Sequence, residues 1–482
     1  MKIWGITAQV HDAAIAVVEN GEILFAASAE RYSKIKQDPN LNQALIDDAL
    51  FYGKPDVVSY YESPWLKKSR QLLTGQFSYA LDFSRMPRSY LQRHGIKCPL
   101  HCVSHHKSHA AAGFYTSPYT EAAVVVVDSL GEWQTISIWK ADSSGLSLLH
   151  SVSFPSSLGL LYSSFTKRVG LKPNEEEYIL MGMAAYGKPI YVDQILNDFI
   201  DQRYLFRLKR NCHMGIGDYL PHANIEDLAA SIQVVTEQAV NKIVALAKSR
   251  TGLANLVYMG GVALNCVANS SLFKHFENIW IMPSPGDSGS SIGCAAVVHK
   301  DRLNWRGPYL GHNIQGKYPI DEMCDSLAQG KIIGIAKGRA EFGPRALGNR
   351  SLLADPRSPD VKDRLNEVKK RQKYRPFAPA IPIELSDQYF DMPVKDCAYM
   401  QFVGRCKFPE QYPGASHVDG TSRLQTVKQQ ENPEFHALLM AYYDKTGCPM
   451  LVNTSLNIRG KPIVNDEADA MEFERLYNVK VF

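Results

Sequence analysis

The chain has 482 residues, which is too long for one ordinary core and predicts two or three domains. Its composition, 45% apolar and 21% charged, is typical of a folded protein, and a net charge of +4 neither argues for nucleic acid nor excludes an anionic substrate. No apolar run approaches the ~18 residues of a spanning helix, so neither a signal peptide nor a membrane partner is expected. The nine scattered cysteines are interpreted as structural thiols, which favours a reducing, cytoplasmic setting.

Strand and helix patterns alternate through the first part of the chain. Strands 2–7 and 22–28 are predicted around a turn at 19–21, and strands 122–127 and 134–140 repeat this strand–turn–strand signal. The repetition predicts two related halves. The other elements predicted here are helix 41–52, helix 226–249 and the buried strand 256–259.

A change in composition marks a domain boundary. Residues 303–319 are punctuated by Gly and Pro, which is typical of a connection between domains. Helix 320–329 and strand 331–336 then open a further α/β unit. We therefore expect one domain over 1–311 and a second over 312–482.

Two histidines and two aspartates predict a metal site. His105 and His109 are four residues apart, so on a helix they share one face and can bind one ion. Asp128 ends the strand 122–127, at the edge of an α/β sheet where ligands collect. Asp287 lies in a Gly/Ser-rich turn before an apolar helix and would complete a His2Asp2 set suited to Fe, Zn or Mn. The alternative for the histidine pair is ordinary packing or a surface position.

Two further residues near the N-terminus are candidates for catalysis. His11 follows the first strand, and because histidine titrates near neutrality it is a candidate general base. The alternative is a polar turn. Lys36 lies in the segment Glu30-Arg31-Tyr32-Ser33-Lys34-Ile35-Lys36, and from the residues alone it is one member of a solvated charge run.

A second candidate site is rich in cations. Arg345, Lys369 and Arg375 lie in the segments 338–351 and 369–379, where basic residues alternate with aromatic residues, Gly and Pro. This mixture favours an anion pocket, because guanidinium groups bind phosphate in bidentate fashion. A solvated basic face and a nucleic-acid groove are the alternatives. Short polar or basic side chains that can hold phosphate or ribose follow at Arg423, Asn453, Ser455 and Asn457.

Many blocks of the sequence, in fixed order, resemble the O-carbamoyltransferases that modify nodulation factors, cephalosporins and aminoglycosides. The resemblance runs nearly end to end, and the blocks include 29–38 (AERYSKIKQD), 105–119 (HHKSHAAAGFYTSPY), 128–133 (DSLGEW), 174–189, 260–265 (GGVALN) and 284–296. It implies an α/β protein with an N-terminal actin/sugar-kinase-like (ASKHA) domain of two related halves. The C-terminal segments resemble the YrdC-like α/β domain of the same family.

The resemblance also implies roles for individual residues. The four metal candidates fall on metal ligands, and His11 and Lys36 fall near the transferred group. Ser129 and Glu176 stand where the family usually has Gly, and these departures are expected to bear on the choice of acceptor more than on the type of reaction. The residues expected to bind carbamoyl phosphate or nucleotide are Arg345, Lys369, Arg375, Arg423, Asn453, Ser455, Asn457, Gly260, Gly261 and Asn265.

The implied reaction has two steps. Carbamoyl phosphate and ATP, with Mg, would form carbamoyl-adenylate, and the carbamoyl group would then pass to an acceptor hydroxyl beside one divalent metal. Fe(II) is the expected metal, with Zn or Mn as alternatives. The acceptor would be a sugar, a natural product, or a hydroxymethylated pyrimidine nucleotide or DNA. Two other classes stay open, namely a threonylcarbamoyl-type transferase acting on tRNA and a non-enzymatic nucleotide-binding regulator.

Overall fold

The computed structural model describes residues 1–372 and 375–482, and the chain divides into two compact units. The N-terminal unit comprises residues 1–33, 37–180 and 187–305. The C-terminal unit comprises residues 306–482 together with two short segments, Lys34–Lys36 and Met181–Tyr186. The break at Trp305 and Arg306 lies in the Gly/Pro-punctuated stretch.

The N-terminal unit contains two five-stranded sheets with the same strand order. The first has the order β3-β2-β1-β4-β5 and the second the order β8-β7-β6-β9-β10. The first three strands of each sheet pair antiparallel and the remaining pairs are parallel. The strands are β1 Lys2–Thr7, β2 Ala14–Glu19, β3 Glu22–Ser28, β4 Val57–Tyr61, β5 Leu100–Val103, β6 Ala122–Val127, β7 Gln134–Asp142, β8 Gly145–Ser153, β9 Asn255–Met259 and β10 Asn278–Trp280.

The structure confirms the predicted α/β class, and the matching strand orders agree with the predicted pair of related halves, with one correction. The turn at Asn20 and Gly21 joins β2 to β3, whereas the sequence pattern predicted β1 as the partner strand. The additional strand β2, AIAVVE, is buried at all but its last position. A fully buried strand shows no polar–apolar alternation, so its period is not visible in the sequence.

Helices connect and cover these strands. The helices of this part of the chain are α1 Glu30–Ser33, α2 Gln43–Phe51, α3 Pro64–Leu73, α4 Phe77–Leu81, α5 Pro87–Arg93, α6 His105–Thr116, α7 Leu158–Arg168, α8 Glu177–Met183, α9 Val192–Phe199, α10 Ile225–Thr251, α11 Cys266–Ser270 and α12 Ser290–His299. The bounds of α10 follow from its caps, because Asn224 accepts hydrogen bonds from two first-turn amides and Gly252 closes the helix with a φ of 68°.

Close helix packing sets the position of the candidate metal residues. A Cβ atom at Gly293 in α12 would lie 1.8 Å from the carbonyl oxygen of Ser108 in α6. Only glycine allows the two helices to approach this closely. Since α6 carries both histidines and Asp287 lies just before α12, this contact brings the three side chains together.

The C-terminal unit is a second α/β assembly around a five-stranded sheet of order β12-β14-β20-β15-β19. Its core includes Met323, Leu439 and Tyr442. The strands are β11 Tyr309–Ile314, β12 Ile333–Ala336, β13 Gly338–Glu341, β14 Arg350–Ala354, β15 Ala378–Pro382, β16 Phe390–Asp391, β17 Gly404–Cys406, β18 Thr421–Ser422, β19 Gln425–Val427 and β20 Leu451–Ser455. The helices are α13 Ile320–Ala328, α14 Val361–Val368, α15 Ser386–Tyr389, α16 Pro433–Thr446 and α17 Glu467–Tyr477.

Two general expectations can be compared with this structure. All nine cysteines carry free thiols, as expected, and Cys98 and Cys102 do not pair with each other. Among the described residues, no helix combines the length and the apolarity needed to cross a bilayer.

Candidate active sites

Three elements bring the four predicted metal residues into one buried cluster. Helix α6 presents His105 and His109 on one face, Asp128 directly follows β6, and a single helical turn before α12 begins at Asp287. No more than 6% of any of these residues is exposed. One ligand atom from each lies within 4.8 Å of the others, which is the spacing of ligands around one ion.

The distances show how tightly the ligand atoms converge. The Nε2 atom of His105 lies 3.0 Å from Asp128 Oδ2 and 3.5 Å from Asp287 Oδ1. The Nε2 atom of His109 lies 3.3 Å from Asp287 Oδ1, and the two Nε2 atoms are 3.1 Å apart. Both imidazoles therefore point the same ring nitrogen at the same pair of carboxylates.

Backbone groups orient two of these side chains. His109 Nδ1 lies 3.1 Å from the Pro285 carbonyl oxygen, and because a carbonyl only accepts, this ring nitrogen carries the proton. The lone pair of His109 therefore lies on Nε2, toward the carboxylates. Asp128 Oδ1 accepts a hydrogen bond of 2.9 Å from the Gly261 amide, which leaves Oδ2 to face the histidines. This outer layer of contacts is typical of metal ligands.

The charges within the cluster shift the pKa values of its own side chains. Burial lowers the pKa of His105, but the carboxylates of Asp287 and Asp128 outweigh it and hold that pKa well above the ordinary value. Burial raises the pKa of Asp287, and the imidazoles of His105 and His11 outweigh it in turn, so this carboxyl stays ionised. Two ionised carboxylates in one buried place require positive charge between them.

These residues fit a divalent metal. Asp287 Oδ1 is buried and receives no hydrogen bond from the described residues, although both histidine Nε2 atoms face it. A cation bound by the two imidazole nitrogens and the two carboxylates would satisfy this orphaned oxygen and neutralise the cluster. Two imidazoles and two carboxylates are ligands that Fe, Zn and Mn share, so the donor set does not select among them.

Two residues of this site were not indicated by the sequence. Glu132 is buried, and its carboxylate accepts hydrogen bonds from the backbone amides of His105 (3.1 Å) and Ser63 (2.5 Å). It therefore caps the N-terminus of α6, whose own Ser104 makes no side-chain cap. Tyr61 donates a hydrogen bond of 3.3 Å to Asp287 Oδ2, and its ring packs on His105. Each lies far from its partner in sequence, so no local motif reveals the contact.

The structure places the two predicted catalytic residues in different units. His11 lies beside the metal cluster, with Nε2 3.8 Å from Asp287 Oδ2 and Nδ1 3.1 Å from Asp12 Oδ2. Burial lowers the pKa of His11, but Asp287 and Asp12 outweigh it and raise the pKa to about 10. Its side chain remains 43% exposed, so it is open to an incoming molecule. Lys36 belongs to the C-terminal unit, where its charge contributes to lowering the pKa of Lys369.

The predicted nucleotide residues at 260–265 also adjoin the metal cluster. Gly260 has a φ of 92°, and a Cβ atom there would lie 2.2 Å from the Val127 carbonyl oxygen, so only glycine fits. Its amide donates to Pro285, the same carbonyl that orients His109. Asn265 is 8% exposed and forms a reciprocal pair of amide hydrogen bonds with Gln233 of α10. The loop is thus anchored to α10 at one end and to the metal ligands at the other.

In the C-terminal unit, three predicted residues form one cluster. The ammonium group of Lys369 donates to Ser455 Oγ (3.2 Å), Asn457 Oδ1 (2.9 Å) and the Asn457 carbonyl (2.9 Å). Lys369 is 3% exposed, and all these acceptors are neutral. Burial and the neighbouring charges of Arg371, Arg375 and Lys36 hold the pKa of Lys369 well below its ordinary value. We call this the Lys369 cluster, comprising Lys369, Ser455, Asn457 and the adjacent Arg371 and Arg375.

A buried network holds the loop 343–349 beside the same strand. Asn453, two residues before Ser455 on β20, donates to the Ala346 carbonyl and to Gln425 Oε1. Glu341 accepts hydrogen bonds from the amides of Leu347 (2.7 Å), Asn349 (2.8 Å) and Arg350 (3.2 Å). Asn453 is only 1% exposed, so its position suits support of the loop that carries Arg345 rather than direct contact with a ligand.

The remaining predicted cations lie on segments that this network joins. Arg345 precedes Ala346, and Arg423 lies two residues before Gln425. The Nε atom of Arg423 is buried and has no hydrogen-bond partner among the described residues. Lys373 and Tyr374, which contributed to the predicted basic and aromatic pattern, lie outside the described residues.

Comparison with known proteins identifies the family. The profile described as "Carbamoyltransferase N-terminus" matches residues 2–296, and "Carbamoyltransferase C-terminus" matches residues 324–482. An uncharacterized protein of Synechocystis sp. is 35% identical, with 97% of this chain and 93% of that protein aligned. The nodulation protein NolNO of Sinorhizobium fredii is 32% identical over 96% of this chain and 76% of its own length. The 3'-hydroxymethylcephem-O-carbamoyltransferase of Amycolatopsis lactamdurans is 27% identical over 95% of this chain and 94% of its own length.

Solved structures are more distant. HypF of T. kodakarensis aligns over 62% of this chain and 47% of its own with a TM-score of 0.39 and 12% identity, a likeness too low to support any inference. The assignment therefore rests on the two profiles, which together span most of the chain, and on the full-length relatives. The chain belongs to the carbamoyltransferase family and is a transferase enzyme, which excludes the non-enzymatic regulator considered above.

Proposed function

We propose that this protein is an ATP-dependent O-carbamoyltransferase that works in two half-reactions, one in each unit. The observation that carries this proposal is the presence of two buried polar clusters of opposite charge, one suited to a cation and one to anions. In this scheme the N-terminal unit has the ASKHA fold, which its repeated strand order supports, and the C-terminal unit has the YrdC-like fold.

The first half-reaction uses the C-terminal unit. Water cleaves carbamoyl phosphate to carbamate and phosphate, and a carbamate oxygen then attacks the α-phosphorus of Mg-bound ATP. Pyrophosphate leaves, and carbamoyl-adenylate remains. The Lys369 cluster, with Arg345 and Arg423, supplies the positive charge that holds the phosphate groups in line, which is the main contribution of a protein to phosphoryl chemistry. The loop 343–349, fixed by Glu341 and Asn453, sets the position of Arg345.

The second half-reaction uses the N-terminal unit. The acceptor hydroxyl oxygen attacks the carbonyl carbon of carbamoyl-adenylate, its proton passes to the neutral form of His11, and AMP leaves to give the O-carbamate. The carboxylates raise the pKa of His11 to about 10, and a cation bound at Asp287 would lower that pKa again and so supply the neutral form. A divalent metal held by His105, His109, Asp128 and Asp287, which we take to be Fe(II) with Zn or Mn as alternatives, would polarise that carbonyl. The exposed ring of His11 is open to the acceptor, and Asp12 holds its Nδ1 side. Lys36, in the Lys369 cluster's own unit, would add positive charge to the phosphate-binding region.

A pair of variants separates the half-reactions. We expect His105→Ala to abolish transfer to an acceptor while pyrophosphate exchange into ATP, dependent on carbamoyl phosphate, persists. Arg375→Ala should abolish the exchange itself. His101→Ala and Lys317→Ala, which replace exposed residues outside both clusters, serve as matched controls. Equal loss of both activities in His105→Ala would contradict two separate sites, and intact exchange in Arg375→Ala would exclude the assigned anion pocket.

The acceptor is proposed as an alcohol, such as a sugar, a natural product or a hydroxymethylated pyrimidine in a nucleotide or DNA. One of the relatives supports this class by name, the 3'-hydroxymethylcephem-O-carbamoyltransferase, whose name contains a hydroxymethyl group and an O-carbamoyl transfer. Incubation of such alcohols with the enzyme, ATP and carbamoyl phosphate, followed by mass spectrometry for the added carbamoyl group, would identify the acceptor. A threonylcarbamoyl product on tRNA would instead establish the tRNA-modifying alternative.

A further inference from the structure

Helix α3 is amphipathic, but its apolar face is turned toward solvent. Trp65, Leu66, Leu72 and Leu73 recur at a spacing that places them on one side of the helix. Their exposed fractions are 64%, 47%, 42% and 77%. A helix of a globular protein ordinarily turns such a face toward the core. Here the four large apolar side chains are exposed, and the contact on this side of the helix is a hydrogen bond from Trp133 to Ser69.

The charged face of α3 is the one that packs against the protein. Lys68 is only 8% exposed, and its ammonium group donates to the carbonyls of Ala80 (2.8 Å), Asp82 (3.0 Å) and Tyr79 (3.3 Å). Lys67 contacts Glu62 at 2.5 Å. A buried lysine therefore joins the two arms of the segment 64–85, which we call the helical hairpin.

The open apolar surface continues beyond α3. Phe77, in α4, is 60% exposed, and Phe83, near the end of the hairpin, is 56% exposed. Trp65 and Phe83 lie edge to face with their ring centroids 6.4 Å apart, so the two arms share one aromatic surface. Large apolar side chains that are exposed beside one another are typical of an interaction site.

The surroundings of this surface are basic. Residues 63–97 contain seven Lys and Arg against a single acidic residue, Asp82, in a chain whose whole net charge is only +4. Arg88 and Lys97 lie just beyond the hairpin and are exposed. An apolar surface with a basic border is complementary to a surface that is both apolar and anionic.

We infer that the helical hairpin docks on the surface of an anionic lipid bilayer, with Trp65, Leu73 and Phe77 entering the headgroup region. A second copy of the chain fits less well, because a two-fold contact would set one basic border against another. Single-stranded nucleic acid also fits less well, because Lys67 and Lys68 are engaged within the protein while leucines face outward. The earlier expectation of no membrane partner considered spanning segments alone, and surface docking needs none.

The hairpin is connected to the metal cluster. The Ser63 amide, immediately before α3, donates to Glu132, and Glu132 also accepts from the His105 amide. Trp133 Nε1 donates to Ser69 Oγ within α3 at 3.1 Å. A bilayer bound by the hairpin would therefore lie beside the N-terminal active site. The docking itself requires neither the metal nor either half-reaction.

Vesicle co-sedimentation of the full chain tests this inference. We expect binding to phosphatidylcholine vesicles that contain phosphatidylglycerol and much weaker binding to phosphatidylcholine alone. The double variant Trp65→Gln/Leu73→Gln should bind at least about tenfold more weakly. The matched control Phe51→Gln, at a side chain 85% exposed in α2, should bind as the wild type does. Arg88→Gln/Lys97→Gln should lose roughly tenfold in affinity for the anionic vesicles only.

Independent readouts make the outcome decisive. The far-UV circular dichroism spectrum and the thermal unfolding midpoint should be unchanged in the double variant, which shows that the N-terminal unit still folds. Trp65 fluorescence should shift to shorter wavelength on anionic vesicles, and Trp65→Phe should bind without that shift. Absence of vesicle binding, or equal binding by the double variant, would overturn the inference. Two results in the absence of vesicle binding would assign the surface to another partner. Concentration-dependent dimers that the double variant loses would indicate a second copy of the chain. Binding of a single-stranded oligonucleotide that the double variant loses would indicate nucleic acid.

Discussion

The two buried clusters of this protein have opposite charge. The cluster of the N-terminal unit joins two carboxylates to two imidazoles, and with both imidazoles neutral, as metal binding requires, its net charge is negative. The Lys369 cluster joins cations to neutral oxygens, with no carboxylate in contact with the Lys369 ammonium group among the described residues. The first is therefore suited to bind a cation and the second to bind an anion.

This difference explains how each cluster is built. The carboxylates and imidazoles are placed by a helix, a strand end and a turn that glycine packing brings together, so the ligand atoms converge from several directions. The cations lie at the C-terminal end of α14 and in loops, where hydrogen bonds and a buried network hold them beside one strand, β20. A metal needs ligands on several sides, whereas a chain of phosphates needs a line of positive charge.

Removal of the metal should distinguish the two clusters most strongly. Treatment with a chelator should lower transfer to an acceptor roughly a thousandfold, because the polarising cation is lost. Pyrophosphate exchange, assayed with excess Mg, should be unaffected. The measurement is both activities on the same sample before and after chelation, followed by addition of Fe(II), Zn or Mn singly. Recovery of transfer with none of the metals would contradict the metal assignment.

The sequence alone predicted the residues of the candidate metal cluster because their signals are local. The four-residue spacing of His105 and His109 and the position of Asp128 after an apolar strand can both be read directly, and the structure brings these residues together with Asp287. The repeated strand pattern likewise indicated the two halves. These features follow from helix and strand periodicity, which a single sequence contains.

Other features could not be predicted because they depend on distant residues. Strand β2 has no alternation, and the partners of Glu132 and Tyr61 lie 69 and 226 residues away. The burial of Asn453 and Asn265 depends on networks with Gln425 and Gln233 that have no sequence signature. The inverted face of α3 is visible only once its burial is known, since the periodicity is that of a normal amphipathic helix.

A second prediction, with a smaller expected effect, concerns Glu132, which caps α6 in the N-terminal unit. The carboxylate of Glu132 accepts hydrogen bonds from the amides of Ser63 and His105. Glu132→Gln replaces one of its two oxygens by an amide group that cannot accept, so the first turn of α6, and with it His105, should be held less firmly. We expect metal affinity to fall about 10- to 100-fold, the usual range for residues that orient metal ligands. Competition with a chromophoric chelator measures this. Asp142→Asn, on an exposed turn, is the control, and unchanged affinity in Glu132→Gln would exclude a positioning role.

The Lys369 cluster should respond to pH in the way an anion site does. Burial and neighbouring cations lower the pKa of Lys369, and a bound phosphate would raise it again, so binding takes up a proton. Affinity for carbamoyl phosphate should therefore fall as the pH rises above the lowered pKa, by up to about tenfold per pH unit. Calorimetry in buffers of different ionisation enthalpy measures the proton count. Uptake that persists in Lys369→Gln would assign the proton to another group.

The smallest effect concerns a single hydrogen bond to the metal cluster. Tyr61→Phe removes the hydrogen bond of 3.3 Å to Asp287 Oδ2 but keeps the ring that packs on His105. Loss of a hydrogen bond to a charged group is worth about 1.5–3 kcal/mol at most, and at this length we expect the lower end, a roughly tenfold loss of metal affinity. Tyr60→Phe is the matched control, because Tyr60 donates to the Ala8 carbonyl at 2.6 Å and touches no ligand. Both variants should lose comparable thermal stability, and only Tyr61→Phe should bind the metal more weakly. If both bind it equally well, Asp287 is positioned by the helix packing alone.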